Sequence, residues 1–366
     1  MKIVHIANTN FELELRNGLS NENLADSLKK SPFGMQLQFL PLLTAPSNDI
    51  VAVNAFPEAK FLKDLENLNW RQNQTLPELK NLFEIDPFQG TTCVSWGASR
   101  QVQQWASERE VTYFGPTDWE MIKRINSKAF SMELEPLKGA ALIRNEVEFL
   151  DWMGRTKSMG VLKTCFGLSG KGNRVVGEGL NPQLLPFCHK EWNEGYPIIA
   201  EPWLDKCFDF STQWMIHPDG RKELLGATVF QNDPSGIYQG TLAGPAQDIF
   251  GPYHDFLEEH IEHVQVALNI ISNVGFFGHL GVDALLYRRQ GDQKVLLHPI
   301  VEINARQTMS LVALQVQHRW FPDQPIRLSL ETLNRPGISL LPLKIPSISG
   351  GKVVSFKRKL VLSFEI

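Results

Sequence analysis

Residues 298–306 read HPIVEINAR. Glu302, Asn304 and Arg306 occupy alternate positions with Ile303 and Ala305 between them, so an extended chain turns all three polar groups to one face. The run that leads in, KVLLHPIV (294–301), is apolar up to Glu302. A solvent-facing strand is the plain alternative. It explains neither that apolar approach nor an asparagine, a poor strand former, at the centre.

Upstream, FFGHLGVDALLY (276–287) reads as a second strand, joined to the first by RRQGDQ. A two-residue turn at Gly291 and Asp292 predicts that Asp283 lies opposite Ile300, on one face with His298, Glu302 and Asn304. Glu302 is then a diagonal neighbour of Asp283, about 7 Å away. Two carboxylates that close repel each other unless a cation stands between them. An all-oxygen set of Asp283, Glu302 and Asn304 suits Mg²⁺, or Mn²⁺ in its place. His298 reads as a packed or solvated residue, or as a group behind the metal ligands.

A second feature is VLKTCFGLSGKGNRVV (161–176), a strand ending at Lys163, a tip with Gly167, Gly170 and Gly172, and a returning strand. Successive backbone N–H groups in such a tip form an anion nest, with Ser169 adding a hydroxyl and Lys163 a point charge. It is no Walker A loop, which needs GK[ST] opening a helix, and it equally fits an ordinary turn. A third is IIAEPWLDKCFDFSTQWMI (198–216), an apolar strand ending near Glu201, with Leu204 before Asp209. It reads either as a linker offering backbone groups to a purine edge or as a strand end followed by solvated acids.

The chain has 366 residues, a net charge of −4 and a pI near 6.2. That length allows two or three domains, and the charge excludes the basic surface that a nucleic-acid or anionic-membrane partner needs. Cys93, Cys165, Cys188 and Cys207 lack metal-site spacing and read as buried thiols of a reducing compartment. With no signal-peptide pattern and no run of ~18 apolar residues, a cytoplasmic protein is expected.

Strand-like and helix-like runs alternate through residues 1–114. KIVHIA, QLQFLPLL, DIVAVNA and TTCVSWG are the strand-like ones, EAKFLKDLENL and SRQVQQWASERE the helical ones. This alternation predicts an α/β unit, and no glycine-rich dinucleotide fingerprint follows the first strand. Thr117 and Glu120 predict a capping box for the next helix. A further helix starts at Asn145 and carries Val147, Leu150 and Met153. Strands follow to residue 217, Pro218-Asp219-Gly220 predicts a hairpin turn, and a long amphipathic helix covers 248–272. On that helix His260 and His263 read as a solvated face rather than a metal site. Tyr238, in the segment 231–245, reads as loop packing or as a substrate contact.

Lys128, Lys163 before the glycine-rich hairpin, EPWL, GVDALLY and VEINAR resemble the ATP-grasp superfamily in order and spacing, over roughly residues 110–310. The resemblance implies an α/β (α+β) chain with four parts. These are an N-terminal α/β pre-grasp domain (1–114), a small lobe with the glycine-rich loop (115–205), a large lobe with the metal site (206–336) and a C-terminal β-rich extension (337–366), the lobes built on antiparallel sheets. By the same resemblance Lys128 and Lys163 hold ATP phosphates under the loop containing Ser169, Gly170 and Gly172. Glu201 and Leu204 meet the adenine through backbone groups, and Asp209 meets the ribose. Asp283, Glu302 and Asn304 bind Mg²⁺, and Arg306 faces the reacting carboxylate. Pro202 stands where the family often has lysine. The implied activity is a carboxylate–amine or –thiol ligase acting on small molecules. An ATP-dependent kinase, a carboxylase and a non-catalytic nucleotide-binding protein are the alternatives.

Overall fold

The computed structural model describes residues 2–18, 22–68, 70, 75–85, 91–156, 159–167, 172–177, 181, 183–232, 238–289, 293–346 and 353–364. β1 (Ile3–Ile6), β2 (Ile50–Val53), β3 (Glu78–Asn81), β4 (Thr92–Ser95) and β5 (Thr112–Tyr113) form a parallel sheet in the order β3-β2-β1-β4-β5. β2, IVAV, is buried at all four positions, as a parallel strand covered on both faces must be. The strand order reverses between β1 and β4, which opens a crevice at their carboxyl ends. Asn8 and Gly97 pair across it, each donating to the other at 2.9 and 3.1 Å.

QLQFLPLL is not a strand. It belongs to helices Pro32–Leu37 and Pro41–Thr44, because Ser31 accepts the Gly34 N–H as an N-cap and Pro32 and Pro41 occupy first-turn positions where their missing N–H costs nothing. The predicted capping box at Thr117 is displaced by one residue: Asp118 caps helix Trp119–Ile125, accepting from the N–H groups of Glu120 and Met121.

The second sheet is antiparallel and small. β6 (Ala141–Ile143), β7 (Gly160–Lys163), β8 (Asn173–Val176) and β9 (Ile198–Pro202) lie in the order β6-β9-β7-β8. Helices Glu146–Arg155 and Leu184–Asn193 cover it through Phe149, Trp152, Leu184 and Cys188. Asn145 caps the first of these, as its sequence predicts. The helix buries Phe149 and Trp152 and leaves Val147 and Leu150 exposed, since two large aromatics remove more apolar area from water.

The third sheet is built from β10 (Asp205–Ile216), β11 (Lys222–Asn232), β12 (Tyr238–Ala243), β13 (Gly278–Arg288), β14 (Val295–Asn304) and β15 (Ile326–Thr332). Past it, β16 (Lys344–Ile345) and β17 (Val354–Ser355) pair with each other. β18 (Arg358–Ser363) then completes the third sheet, giving the antiparallel order β14-β13-β10-β11-β12-β15-β18. The tail's Leu340, Leu341, Ile345, Phe356 and Leu360 share one core with Val4, Ile6 and Val51 of the parallel sheet.

Helix Asp255–Asn273 packs on the β10/β13/β14 end through Val264, Ala267, Leu268 and Ile271. His260 is not solvated. It falls on the same stripe as Leu257 and Val264, is fully buried, and meets Thr212 Oγ1 at 2.7 Å. His263 lies outside that stripe, 3.5 Å from Glu135. Among the described residues no helix is long and apolar enough to cross a membrane. All four cysteines are free, and Cys93, Cys165 and Cys188 are buried.

Candidate functional site

β14 is the edge strand of the third sheet, and β13 pairs with it in a register that shifts midway. Leu285 lies opposite His298, as the turn predicts, but Asp283 lies directly opposite Glu302 rather than Ile300. Pro299, Ile300 and Val301 together face Ala284; Pro299 lacks a ladder N–H, and such residues sit where pairing is interrupted. The shift of two residues preserves the face, so Asp283, His298, Glu302 and Asn304 stay together. The turn residues Gly291 and Asp292 themselves lie outside the described residues.

Burial, and then the Glu302 carboxylate opposite, push the Asp283 carboxyl up to about 7, against the pull of Ser211, Arg306 and Lys128. Lys128 Nζ makes a short ion pair with Glu302 Oε1. Asn304 Nδ2 donates to Asp283 Oδ2 at 3.1 Å, and its Oδ1 accepts from Arg306 Nη2 at 2.8 Å. The Arg306 Nε is held in turn by Glu12, on helix Phe11–Asn17 of the N-terminal unit. One turn further along that helix, Arg16 reaches Glu191 of the second sheet's layer at 2.6 Å.

Lys163, at the end of β7, pairs with Glu201 of β9 at 2.5 Å, both side chains largely covered. His298 of β14 feels this pair: burial takes its imidazole down to about 4, with Glu201 raising and Lys163 lowering it. His298 is a buried residue of β14. At the base of the glycine-rich hairpin, Thr164 N–H donates to Gly172 O at 3.3 Å, and a Cβ at 172 would collide with Thr164 Oγ1. Ser169 and Gly170 lie outside the described residues.

Between β9 and β10 only Trp203 and Leu204 remain, so the two sheets are joined by a two-residue linker. Trp203 N–H donates to Met159 O at 2.9 Å and Lys206 N–H to Leu204 O at 3.0 Å. Asp209 sits within β10 and is paired with Lys206 at 2.8 Å. Tyr238 bonds Thr241 at 2.8 Å, and burial raises its phenol, the packing reading of that residue.

Three positioning groups escaped sequence reasoning. Ser131 Oγ accepts from the Ile303 N–H at 3.0 Å and Asn126 Oδ1 from the Ala305 N–H at 2.9 Å, so the backbone on either side of Asn304 is anchored to the helix pair that carries Lys128. A third, Gln213, links Thr308 at 2.7 Å to Ser211 at 2.8 Å, directly across β10 and β13 from Asp283. A bare serine, asparagine or glutamine carries no local sequence signal for such work.

The donor chemistry fits a hard divalent cation: two opposed carboxylates, one of them disfavoured as an anion by burial and then by its neighbour, beside an amide. No group of three or more His, Cys, Asp or Glu residues placed to hold a metal occurs among the described residues.

No family model matches the chain and no curated protein matches it. Solved structures do. Biotin carboxylase from Campylobacter jejuni, in its β,γ-ATP complex, is 12% identical with a TM-score of 0.53, over 99% of this chain and 87% of that one. N5-carboxyaminoimidazole ribonucleotide synthetase from Thermus thermophilus is 11% identical with a TM-score of 0.52, over 99% and 93%. The chain has the ATP-grasp fold: a parallel α/β unit followed by two antiparallel lobes.

Proposed function

From the ATP-grasp fold as premise, we propose that this protein is an ATP- and Mg²⁺-dependent ligase that activates a carboxylate as an acylphosphate and passes the acyl group to an amine. The observation that carries the reading is the opposition of Asp283 and Glu302 on one sheet face, with Lys128 on one side and Arg306 on the other. On this reading Asp283, Glu302 and Asn304 hold the cation. A bound Mg²⁺ supplies charge neutralisation at the triphosphate and the transferring phosphoryl group. Lys163 and Lys128 take phosphate oxygens under the tip that includes Ser169, Gly170 and Gly172. The Glu201 and Leu204 backbone takes the adenine edge, and Asp209 takes the ribose.

Arg306 has the guanidinium fork that matches a carboxylate in two bonds. It orients the substrate carboxylate so that one oxygen attacks the γ-phosphorus while the bond to the ADP oxygen breaks. The amine then adds to the acyl carbon, Arg306 faces the oxyanion, phosphate leaves with the C–O bond electrons, and the nitrogen gives up a proton. No covalent enzyme intermediate is needed.

The test is release of ADP and phosphate from Mg²⁺-ATP against amino acids and other small carboxylates, singly and in pairs. Dependence on a carboxylate and an amine together supports the ligase. ADP with a stable phosphorylated product and no amine requirement would give a kinase, and ATP binding without turnover on any pair would give a nucleotide-binding protein. Bicarbonate belongs in the panel beside the carboxylates, because one structural neighbour named above is a carboxylase by name and the other a carboxyaminoimidazole ribonucleotide synthetase. Turnover that requires it would select the carboxylase.

A further inference from the structure

Every candidate donor to the divalent cation is already engaged by the chain itself. Lys128 holds Glu302, Asn304 presents its amide nitrogen to Asp283, and the amide oxygen is taken by Arg306. Of these, the Lys128 contact is the decisive one. An ammonium in contact with a carboxylate oxygen occupies the position a divalent ion would take, and two cations on that oxygen repel. The contact is also well enclosed, the Lys128 side chain being 14% exposed and that of Glu302 24%.

The root of Lys128 is fixed and its tip is not. The residue opens helix Lys128–Leu134 behind the Ser127 cap, and its backbone N–H donates to Cys165 O at 3.0 Å, two residues past Lys163. Only its four-carbon stem is free to redirect the charge, between Glu302 on the large lobe and whatever anion lies beside Lys163 on the small one. Asn126 and Ser131 tie the same helix pair to the backbone around Asn304, so helix and metal strand cannot separate to relieve the competition.

We propose that Lys128 is the resident cation of this site: it holds Glu302 while nucleotide is absent and transfers to the triphosphate when nucleotide enters, so that divalent cation and nucleotide bind with positive coupling. The inference rests on the ligase reading for Asp283, Glu302 and Asn304 as the metal donors and for Lys128 as a partner of the triphosphate. Removing the lysine then strengthens metal binding in the nucleotide-free protein, because the competing charge is gone, and weakens nucleotide binding in the metal-free one, because a phosphate partner is lost.

The experiment titrates the full chain with Mn²⁺ alone at pH 8, following free Mn²⁺ by electron paramagnetic resonance, and separately with ATP in excess EDTA by calorimetry. Lys128→Met should bind Mn²⁺ at least ~10-fold more tightly than wild type and ATP at least ~10-fold more weakly. Lys128→Arg, which keeps the charge, should retain the weak wild-type Mn²⁺ affinity. Lys128→Gln provides the neutral variant if the methionine protein does not fold, as judged by circular dichroism. Mn²⁺ affinity in the neutral variants equal to or below wild type, with Glu302→Gln still abolishing binding, overturns the proposal and leaves the metal site standing. Mn²⁺ binding indifferent to Glu302→Gln in the Lys128→Met background overturns both.

Discussion

Glu302 has two neighbours that act on its charge in opposite senses, Asp283 across the strand pair and Lys128 from the adjoining helix. Replacing it with glutamine keeps the shape, leaves Lys128 without its partner and removes one of the proposed cation ligands. Turnover is expected to fall at least ~10²-fold, the usual loss when one preorganised electrostatic group is deleted, with the far-ultraviolet spectrum unchanged. Wild-type turnover in this variant would remove Glu302 from the site. His260 bears on stability instead. Burial lowers its imidazole from 6.5 to about 3, so the folded protein keeps it neutral while the unfolded chain takes up a proton below 6.5. Its contribution is complete above pH 6.5 and is lost as the pH falls from 6.5 towards 3. Urea denaturation at stepped pH should show stability declining through that window, and His260→Gln should flatten the decline.

Strand β14 shows which part of an element a sequence can carry. Period-2 alternation was enough to place Glu302, Asn304 and Arg306 together, because side-chain direction along a strand is a local property. Register was not, because it was extrapolated from a turn as though pairing never slips, and Pro299 interrupts it. Helix Glu146–Arg155 failed for another reason: Val147/Leu150 and Phe149/Trp152 are both spaced by three, and only packing chooses between them. At QLQFLPLL the apolar run outweighed the helix-start signals at Ser31, Pro32 and Pro41. As an edge strand, β14 leans on Ser131 and Asn126 for two backbone N–H partners. Asn126→Ala would strand the buried Ala305 N–H at a cost of about 1–3 kcal/mol, read as a lower denaturation midpoint, and the Ser131→Ala cost should be similar. Unaltered midpoints in both would mean that water replaces these bonds without loss.

Across the whole chain, α/β alternation made the N-terminal α/β unit readable, and the resemblance to the ATP-grasp superfamily made the antiparallel sheets so. The ion pairs that knit the sheets together were not, since Lys128 and Glu302 are 174 residues apart and Glu12 and Arg306 are 294 apart. No window of sequence spans such distances. Helix Phe11–Asn17 gathers two of these long-range bonds, Glu12 to Arg306 and Arg16 to Glu191. Arg16→Met should raise hydrogen–deuterium exchange along residues 184–193 while leaving residues 298–306 protected, and equal exchange in both proteins would show that this end bears no tension. The two moorings stand about 6 Å apart, one helical turn. The helix is thus a short tie-rod between Glu191 on the second sheet's layer and Arg306 beside the third sheet, rooted in a part of the protein that belongs to neither. An incoming anion that took Arg306 away from Glu12 would slip one mooring.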